Sequence, residues 1–472
     1  IAARRIPLTR QLRDVLPEKA RQAWLELQPV GDVNVDVHVS SAGAKATTQS
    51  TTRVDVVIRP EHLAVTPASL PVPVREVRGT FTATPEGVRI EEASGRVLDG
   101  AVELSGTINW DAEKLAGDLQ LRTRGLQFTD VLRRALPWRV QRAWNAVRPQ
   151  GGIDIDLRRL TFERTGRKPL AWTFDGTCRV HDVELASAGT VKGIEGTIEA
   201  RGTAAAGGMD VGLEGRIDLK RLVFGDRLLT NVRGRMKKEA SEATLRLDGL
   251  HAEIYGGLAG GHAELELGAE HAAYGVSVTV RDMSLLPFLE AGRSQPTRPI
   301  NAEGVASGTF FLTGTVGEKQ TRRGGGTIQV QEAQIMKLPL FLALMGMVST
   351  GRLDENAFHD GVAEFSLEAE TLTLRSIDLR GSAVSLVGAG RMNTTTQELD
   401  VTLLAGSPHR LPQLGLLTEL AEGAAREIME VEVRGTLYEP RIEAQALRSL
   451  KHALDALAKL RADRGSDVRI AR

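Results

Sequence analysis

The chain has 472 residues, with 60 basic and 60 acidic side chains, so its formal net charge at pH 7 is zero. This length exceeds what one compact core usually covers, and the balanced charge gives no global field that would favour nucleic acid or an anionic membrane. Only 4% of the residues are aromatic, so any core is built mainly from Val, Leu, Ile and Ala. We therefore expect several domains or a repeat architecture, and no nucleic-acid partner.

An internal repeat with an offset of 120 residues comes first along the chain. Leu16-Pro17, Ala23-Trp24, Pro29 and Gly31 recur as Leu136-Pro137, Ala143-Trp144, Pro149 and Gly151. The pattern predicts a short amphipathic helix with the proline in its first turn, followed by a strand after the Pro-x-Gly break. A degraded third copy is suggested at Leu286-Pro287. The repeat divides the chain into three predicted domains, residues 1–120, 121–290 and 291–472.

Alternation of apolar and polar residues dominates the remaining sequence and predicts β-strands with one solvated face. Clear examples are residues 33–39, 101–105, 153–157, 263–267 and 371–374. Glycines between these segments suit tight turns and bulges. The predicted fold is mostly β, an elongated, twisted antiparallel sheet with a few short amphipathic helices. The long apolar face of such a sheet needs either a second protein layer or an apolar ligand.

Two hydrophobic segments near the C-terminus favour helices. Residues 338–348 form the most hydrophobic stretch, which is too short to span a bilayer; it is either a helix packed across the sheet or a lipid-gating, membrane-contacting element. The candidate gating residues are Leu338, Phe341, Leu342 and Met345. Residues 446–460 carry leucines on one stripe and either cap the last strand or dock on a membrane or partner.

Catalytic and metal-binding chemistry has little support in the sequence. Cys178 is the only cysteine, which excludes an internal disulfide and a cysteine-based zinc site, and we expect a buried thiol. His251, His262 and His271 have spacings that match no metal-ligand motif. Asp154 and Asp156 point the same way on a strand, but toward its solvated face. We predict no enzyme activity, no metal and no cofactor.

The C-terminal third, from residue 301 to about 454, carries in order a Gly-rich strand at 325–330 (GGTIQV), the stretch 335–341 (IMKLPLF), the run 357–365 (AFHDGVAEF) and the closing phrase 433–442 (VRGTLYEPRI). In this order, the phrases resemble the AsmA-like C-terminal domain of Gram-negative-type bacteria. The 120-residue unit is similar to the upstream region of AsmA-like proteins of planctomycete type. The chain thus resembles the AsmA family of bridge-like lipid-transfer proteins, which are related to TamB.

This resemblance implies a repeating β-groove and a noncatalytic envelope protein that binds or conducts phospholipid acyl chains between the inner and outer membranes. It further implies a periplasmic location with possible envelope protein partners. The chain begins at Ile1 and lacks the family's N-terminal transmembrane helix, so we expect an inner-membrane anchor on a segment missing from this sequence. The candidate groove-lining residues are Val33, Val35, Val37, Ile153, Ile155, Leu157, Leu265, Leu267, Leu372 and Leu374.

Two other functions remain open at this stage. The sheet face could be closed by protein, in a scaffold or assembly factor for outer-membrane biogenesis. A β-helical carbohydrate enzyme would need clustered aromatic residues for sugar stacking, and the chain has only 5 Trp and 3 Tyr, two of the Trp lying on the repeated helices.

Overall fold

The computed structural model describes the chain except for residues 17, 42–51, 69–71, 112, 137, 167, 186–190, 206–210, 268–271, 292–301, 336–358, 383, 407–428, 437–439 and 447–472. Of the described residues, 76% lie in strands. The described chain folds into 23 strands assigned to one antiparallel sheet and five short helices. The prediction of a mostly antiparallel β fold with a few short helices is confirmed.

The chain divides into two compact units, and parts of the three strands Arg227–Lys238, Thr244–Ile254 and Gly257–Glu266 belong to each of them. Unit 1 comprises Ile1–Val223, Asn231–Asp248 and Leu265–Ala272, and unit 2 comprises Phe224–Thr230, Gly249–Glu264 and Ala273–Arg472.

The strands and helices have the following bounds. The strands are β1 Ala2–Pro7, β2 Val30–Ser41, β3 Thr52–Val65, β4 Val74–Thr84, β5 Gly87–Val97, β6 Gly100–Trp110, β7 Lys114–Gln127, β8 Pro149–Thr165, β9 Ala171–Leu185, β10 Val191–Ala205, β11 Val211–Phe224, β12 Arg227–Lys238, β13 Thr244–Ile254, β14 Gly257–Glu266, β15 Ala273–Ser284, β16 Ala302–Thr315, β17 Glu318–Ile335, β18 Asp360–Glu368, β19 Thr371–Arg380, β20 Ser385–Asn393, β21 Glu398–Gly406, β22 Met429–Thr436 and β23 Pro440–Ala446. The helices are α1 Arg10–Val15, α2 Glu18–Leu27, α3 Asp130–Ala135, α4 Trp138–Val147 and α5 Leu285–Ala291.

Sequence neighbours pair in both units. In unit 1, each strand from β1 to β10 pairs antiparallel with the next. In unit 2, the same holds from β15 to β23. Such a meander needs only short connections, and each strand finds its backbone partners on the strands made just before and after it.

The 120-residue repeat is reproduced in backbone geometry. Thr9 and Thr129 cap α1 and α3 by accepting hydrogen bonds from the amides of Leu12 and Leu132. The equivalent strand pairs β1–β2 and β7–β8 share one register, in which Ile6 faces Val33 as Leu126 faces Ile153. Both pairs carry a bulge at the same place. Similarity of sequence at this offset therefore reflects a duplicated structural unit.

Each of the first two copies of the repeat contains two short helices, whereas the sequence predicted a single helix. The predicted helix around Leu16-Pro17 starts later, at Glu18, and the preceding helix α1 was missed. Leu16 ends α1 with an extended ψ of 149°. The proline ring disfavours helical backbone at the residue before it, so the chain must turn at Leu16 and again at Leu136.

The weak third copy is present in unit 2 as a bulge followed by a helix. Strand β15 has a bulge between Val280 and Met283, and α5 follows it at Leu285–Ala291. After the helix, Gly304 adopts a φ of +124°, as Gly31 and Gly151 do with φ of +133° and +113°. The side-chain sequence of this copy has diverged while its backbone turn has not.

Buried side chains form separate clusters. In unit 1, one cluster joins Ile90, Ala93, Leu119 and Phe162, and another joins Val72, Val97, Leu126 and Ala135. In unit 2, the cluster is built from β20, β21 and β22 and includes Leu386, Leu403, Val431 and Val433.

Candidate functional site

The aliphatic face of unit 1 is a set of apolar side chains that continues from strand to strand. Residues paired across antiparallel strands point to the same side of a sheet, so the register defines the face. One ladder runs from β2 to β10 through Val35, Ile58, Phe81, Ile90, Gly106, Leu119, Leu160, Phe174 and Gly202. A second runs through Val37, Val56, Ala83, Val88, Ile108, Gly117, Phe162, Trp172 and Ala204.

The opposite side of unit 1, its polar face, carries the residues between these positions. Arg122 of β7 lies 3.0 Å from Asp156 of β8 and 3.7 Å from Glu103 of β6. On β1, β2 and β3, Asp36 accepts hydrogen bonds from Arg59 and Arg4, which hold the pKa of its carboxyl below the ordinary value. The two faces of the sheet therefore differ sharply in chemistry.

Glycines on the aliphatic face make room for large side chains on the next strand. A Cβ atom added to Gly117 would lie 2.3 Å from the Cε1 atom of Phe162, and one added to Gly202 would lie 2.7 Å from the Cζ atom of Phe174. Each aromatic ring thus lies over the bare backbone of a glycine. In unit 2, Gly326 pairs with both Phe310 and Phe365, whose rings stack at 6.4 Å. Because each ring lies over a glycine, it projects less from the sheet, and the apolar surface is smoother without any added polar group.

The candidate residues of β2 and β8 lie on the aliphatic face of unit 1. Val33 is 5% exposed, while Val35 and Val37 are partly exposed. Ile153 faces Val180, Ile155 faces Cys178, and Leu157 faces Gly176. All six candidate positions of the two copies are thus brought onto one side of the sheet.

Cys178 contributes to the same face between Ile155 and Ile198. Burial, with a smaller effect from Asp154, raises the pKa of its thiol to about 11. The thiol is therefore protonated at neutral pH and behaves as a small apolar group.

The candidates of the later strands lie in different settings. Leu265 belongs to β14, and Leu267 follows that strand and donates its amide to the carbonyl of Ala243 at 2.9 Å. In unit 2, Leu372 faces Leu367 and Met392, and Leu374 faces Phe365 and Gly390. The gating candidates Leu338, Phe341, Leu342 and Met345 lie outside the described residues.

The aliphatic face of unit 2 changes from open to closed along the sheet. Its ladder runs from β15 to β23 through Val278, Phe310, Gly326, Phe365, Leu374, Gly390, Val401, Val433 and Ile442. Leu374 is partly exposed, whereas Val433 is fully buried. On the other face of the same strands, Leu404 is also fully buried and Val387 is 3% exposed. Strands β20–β22 are therefore packed on both sides, whereas β15–β19 and Ile442 of β23 keep partly exposed apolar side chains.

Several members of the aliphatic face were missed by the sequence reasoning. They are Phe81, Ile90, Leu119, Leu160, Phe162, Trp172 and Phe174. The alternation in residues 115–121 (LAGDLQL) was a usable signal for Leu119. Phe162 and Trp172 needed knowledge of the strand register, because each is matched with a small residue on one neighbouring strand.

Shallow clefts in unit 1 lie over its polar face. One has a volume of about 640 Å³ and is lined by residues such as Thr107, Asp118, Thr161 and Lys168. Among the described residues, no cluster of three or more His, Cys, Asp and Glu side chains suits a metal ion. Within the same part of the chain, no helix has the length and apolar character needed to cross a bilayer.

Comparisons with protein-family models, curated proteins and solved structures find no match for this chain. The resemblance to the AsmA family therefore rests on the sequence phrases alone and stays a prediction.

Proposed function

We propose that the aliphatic face binds phospholipid acyl chains, in a noncatalytic envelope protein of AsmA type that moves or shields lipid between two membranes in the periplasm. One observation carries the proposal: in unit 1, apolar side chains form ladders across nine successive strands. Most of them, such as Val35, Ile58 and Leu160, are partly exposed, while Ile90, Leu119 and Phe162 are buried. Acyl chains match this surface because burial of each methylene contributes about 0.8 kcal/mol, with no directional partner required. Such a surface discriminates poorly between headgroups.

A matched pair of valines provides the test. Val35 lies on the aliphatic face opposite Ile58, and Val57 lies on the polar face opposite Asp36, so the two valines are on adjacent strands and face opposite sides. Both are partly exposed. Val35→Asp places a charge among acyl chains, whereas Val57→Asp places the same charge on the polar face, beside Asp36 and the two arginines that pair with it.

We expect Val35→Asp to reduce phospholipid that copurifies with the protein about tenfold or more, because a carboxylate is costly to bury in an apolar contact. Val57→Asp should retain the wild-type amount. The readout is native mass spectrometry with lipid extraction, on protein purified from the envelope of a diderm host. Equal lipid content in two folded variants would reject the proposal.

A scaffold function is the second candidate, and the closure of β20–β22 favours it. The full burial of Leu404, Val431 and Val433 supports this candidate, because these side chains offer no surface to a ligand. Wild-type protein that is reproducibly free of lipid would favour an assembly role for the whole chain.

A further inference from the structure

The second helical hairpin, formed by α3 and α4 with their flanking residues 129–148, concentrates positive charge in a chain whose net charge is zero. It contains five arginines and a single acid, Asp130, for a net charge of +4. The equivalent first hairpin, residues 9–28, has four basic and three acidic residues, for a net charge of +1. The two hairpins therefore share the same backbone structure but differ in net charge.

Exposed apolar side chains accompany this charge. Val131 is 49% exposed and Val140 is 43% exposed. Arg134 is exposed and lies three residues after Val131, on the same side of α3. Arg148, after the end of α4, is exposed as well. Basic and apolar groups together on a helical surface are typical of contact with the interface of an anionic bilayer, whereas nucleic acid requires no exposed valine.

The hairpin meets the end of the aliphatic face through a few side chains. Gln141 of α4 donates a hydrogen bond to the carbonyl of Leu136 at 2.7 Å, and the Trp144 ring meets Phe128 edge-on at 5.2 Å. Ala135 of α3 is buried with Leu126, the strand partner of Ile153. A surface docked through this hairpin would lie next to the apolar ladders of unit 1.

We propose that the α3–α4 hairpin docks unit 1 on the surface of an anionic phospholipid bilayer. Arg134 and Arg148 attract the headgroups, while Val131 and Val140 enter the interface. The proposal adds a membrane-contact site to the function proposed above, and it holds whether or not the aliphatic face carries lipid.

The repeat itself supplies a variant that is expected to fold. At the four positions, the first hairpin has Gln11, Asp14, Ala20 and Gln28, each 120 residues earlier. Because the two hairpins share caps, lengths and register, the quadruple change V131Q/R134D/V140A/R148Q installs side chains already used in the same backbone. The converse change, Q11V/D14R/A20V/Q28R, moves the proposed site to the first hairpin.

Cosedimentation with vesicles measures the effect. We expect the wild-type chain to bind phosphatidylcholine vesicles containing phosphatidylglycerol, and to bind pure phosphatidylcholine vesicles far less. The quadruple variant removes two positive charges and adds a negative one, so its partitioning at low salt should fall about 100-fold, given about 1 kcal/mol for each basic residue near an anionic surface. Adding the converse change to this variant should restore vesicle binding. High salt should weaken vesicle binding, because it screens the attraction between the arginines and the anionic headgroups.

Three outcomes would overturn the proposal. They are equal sedimentation of wild type and quadruple variant, no preference of the wild type for phosphatidylglycerol, and tighter binding of a DNA duplex that the quadruple change also abolishes. Val35→Asp serves as the separating control, because it should lose copurified lipid and keep vesicle binding. Failure of acyl-chain binding and failure of docking are therefore told apart.

Discussion

Asn34, Asp154 and Ser307 hold equivalent positions in the three copies of one bulge, and they share an acceptor oxygen. The Asn34 side chain accepts from the amide of Arg5 at 2.9 Å, Asp154 accepts from Gly125 at 2.7 Å, and Ser307 accepts from Asp282 at 3.0 Å. The donor residue has a positive φ in every copy, between +51° and +70°. This side-chain bond replaces the ladder bond that the bulge removes.

Asp154 therefore tests what this bond contributes. We expect Asp154→Ala to destabilise unit 1 by about 1–2 kcal/mol at pH 7, since the Gly125 amide loses its acceptor. Asp154→Asn should be much milder, because asparagine performs this task at position 34. Urea unfolding together with hydrogen exchange at the Gly125 amide measures both effects. Unchanged exchange in Asp154→Ala would show that the bond is dispensable.

The same residue gives a pH dependence of defined sign. Partial burial opposes ionisation of Asp154, but hydrogen bonds from the Gly125 amide and from His181 outweigh it, so its pKa lies below the ordinary value. The stabilisation is complete above the unfolded pKa, about 3.9, and is lost as the pH falls through the folded pKa. Urea midpoints of wild type should thus drop in this acid range more steeply than those of Asp154→Asn.

At the scale of elements, packing between β7 and β8 depends on the absence of a side chain at Gly117. The Phe162 ring lies over this glycine and meets the Trp172 ring on β9, with ring centroids 4.9 Å apart. A methyl group at position 117 would occupy the place of the ring, and close-packed surfaces tolerate such overlap poorly.

We expect Gly117→Ala to lower the free energy of unfolding by about 1–3 kcal/mol, because Phe162 must leave its position. Gly212→Ala is the matched control, since the nearest atom to its added Cβ, Thr203 Oγ1, lies at an ordinary 3.5 Å. The red-shifted tryptophan fluorescence expected for a displaced Trp172 provides a second measurement. Equal stability of the two variants would contradict the packing role of the glycine.

At the scale of the whole molecule, the order of strands determines how many strands a local substitution destabilises. Strands β1 to β10 and β15 to β23 each pair with their sequence neighbours, so stability in these runs is close to a sum of nearest-neighbour terms. Gly117→Ala should therefore speed amide exchange in β6–β9 and leave β18–β22 at the wild-type rate. Hydrogen exchange read by mass spectrometry distinguishes this outcome from a uniform increase, which would show one cooperative unit.

The sequence was a good guide to the class of fold and a poorer guide to the sheet face. Period-two alternation predicted the strands and the orientation of Val33, Val35, Ile153 and Ile155 because alternation is a local property. The places of Phe162 and Trp172 on this face were not predicted, because their packing depends on the small residues, Gly117 and Ala204, that lie opposite them in the register. Helix α1 was not predicted because Arg10–Val15 is short and the repeated phrase was recognised only from Leu16 onward, although the cap Thr9 recurs as Thr129.

The third copy of the repeat also shows that side-chain sequence alone is an incomplete guide to the backbone. Its bulge, its helix and its positive-φ glycine are present, yet tryptophan and spacing are lost, so side-chain similarity alone undervalued it. What persists is a backbone turn with an acceptor oxygen, and several residue types can supply that oxygen.

The identical register of β1–β2 and β7–β8 has a genetic consequence. If the segment from Leu8 to Gln127 were removed, Pro7 would run directly into Phe128, and Ile6 would meet Ile153 through the same backbone bonds that Leu126 makes now. The backbone ladder would stay continuous at the join, as far as the pair of Ala2 with Asp156, and residues 157–165 of β8 would lose their present partners on β7. Unequal recombination between the two gene segments would therefore preserve the register at the join, while it changes the number of strands and alters the chain length by a whole 120-residue unit.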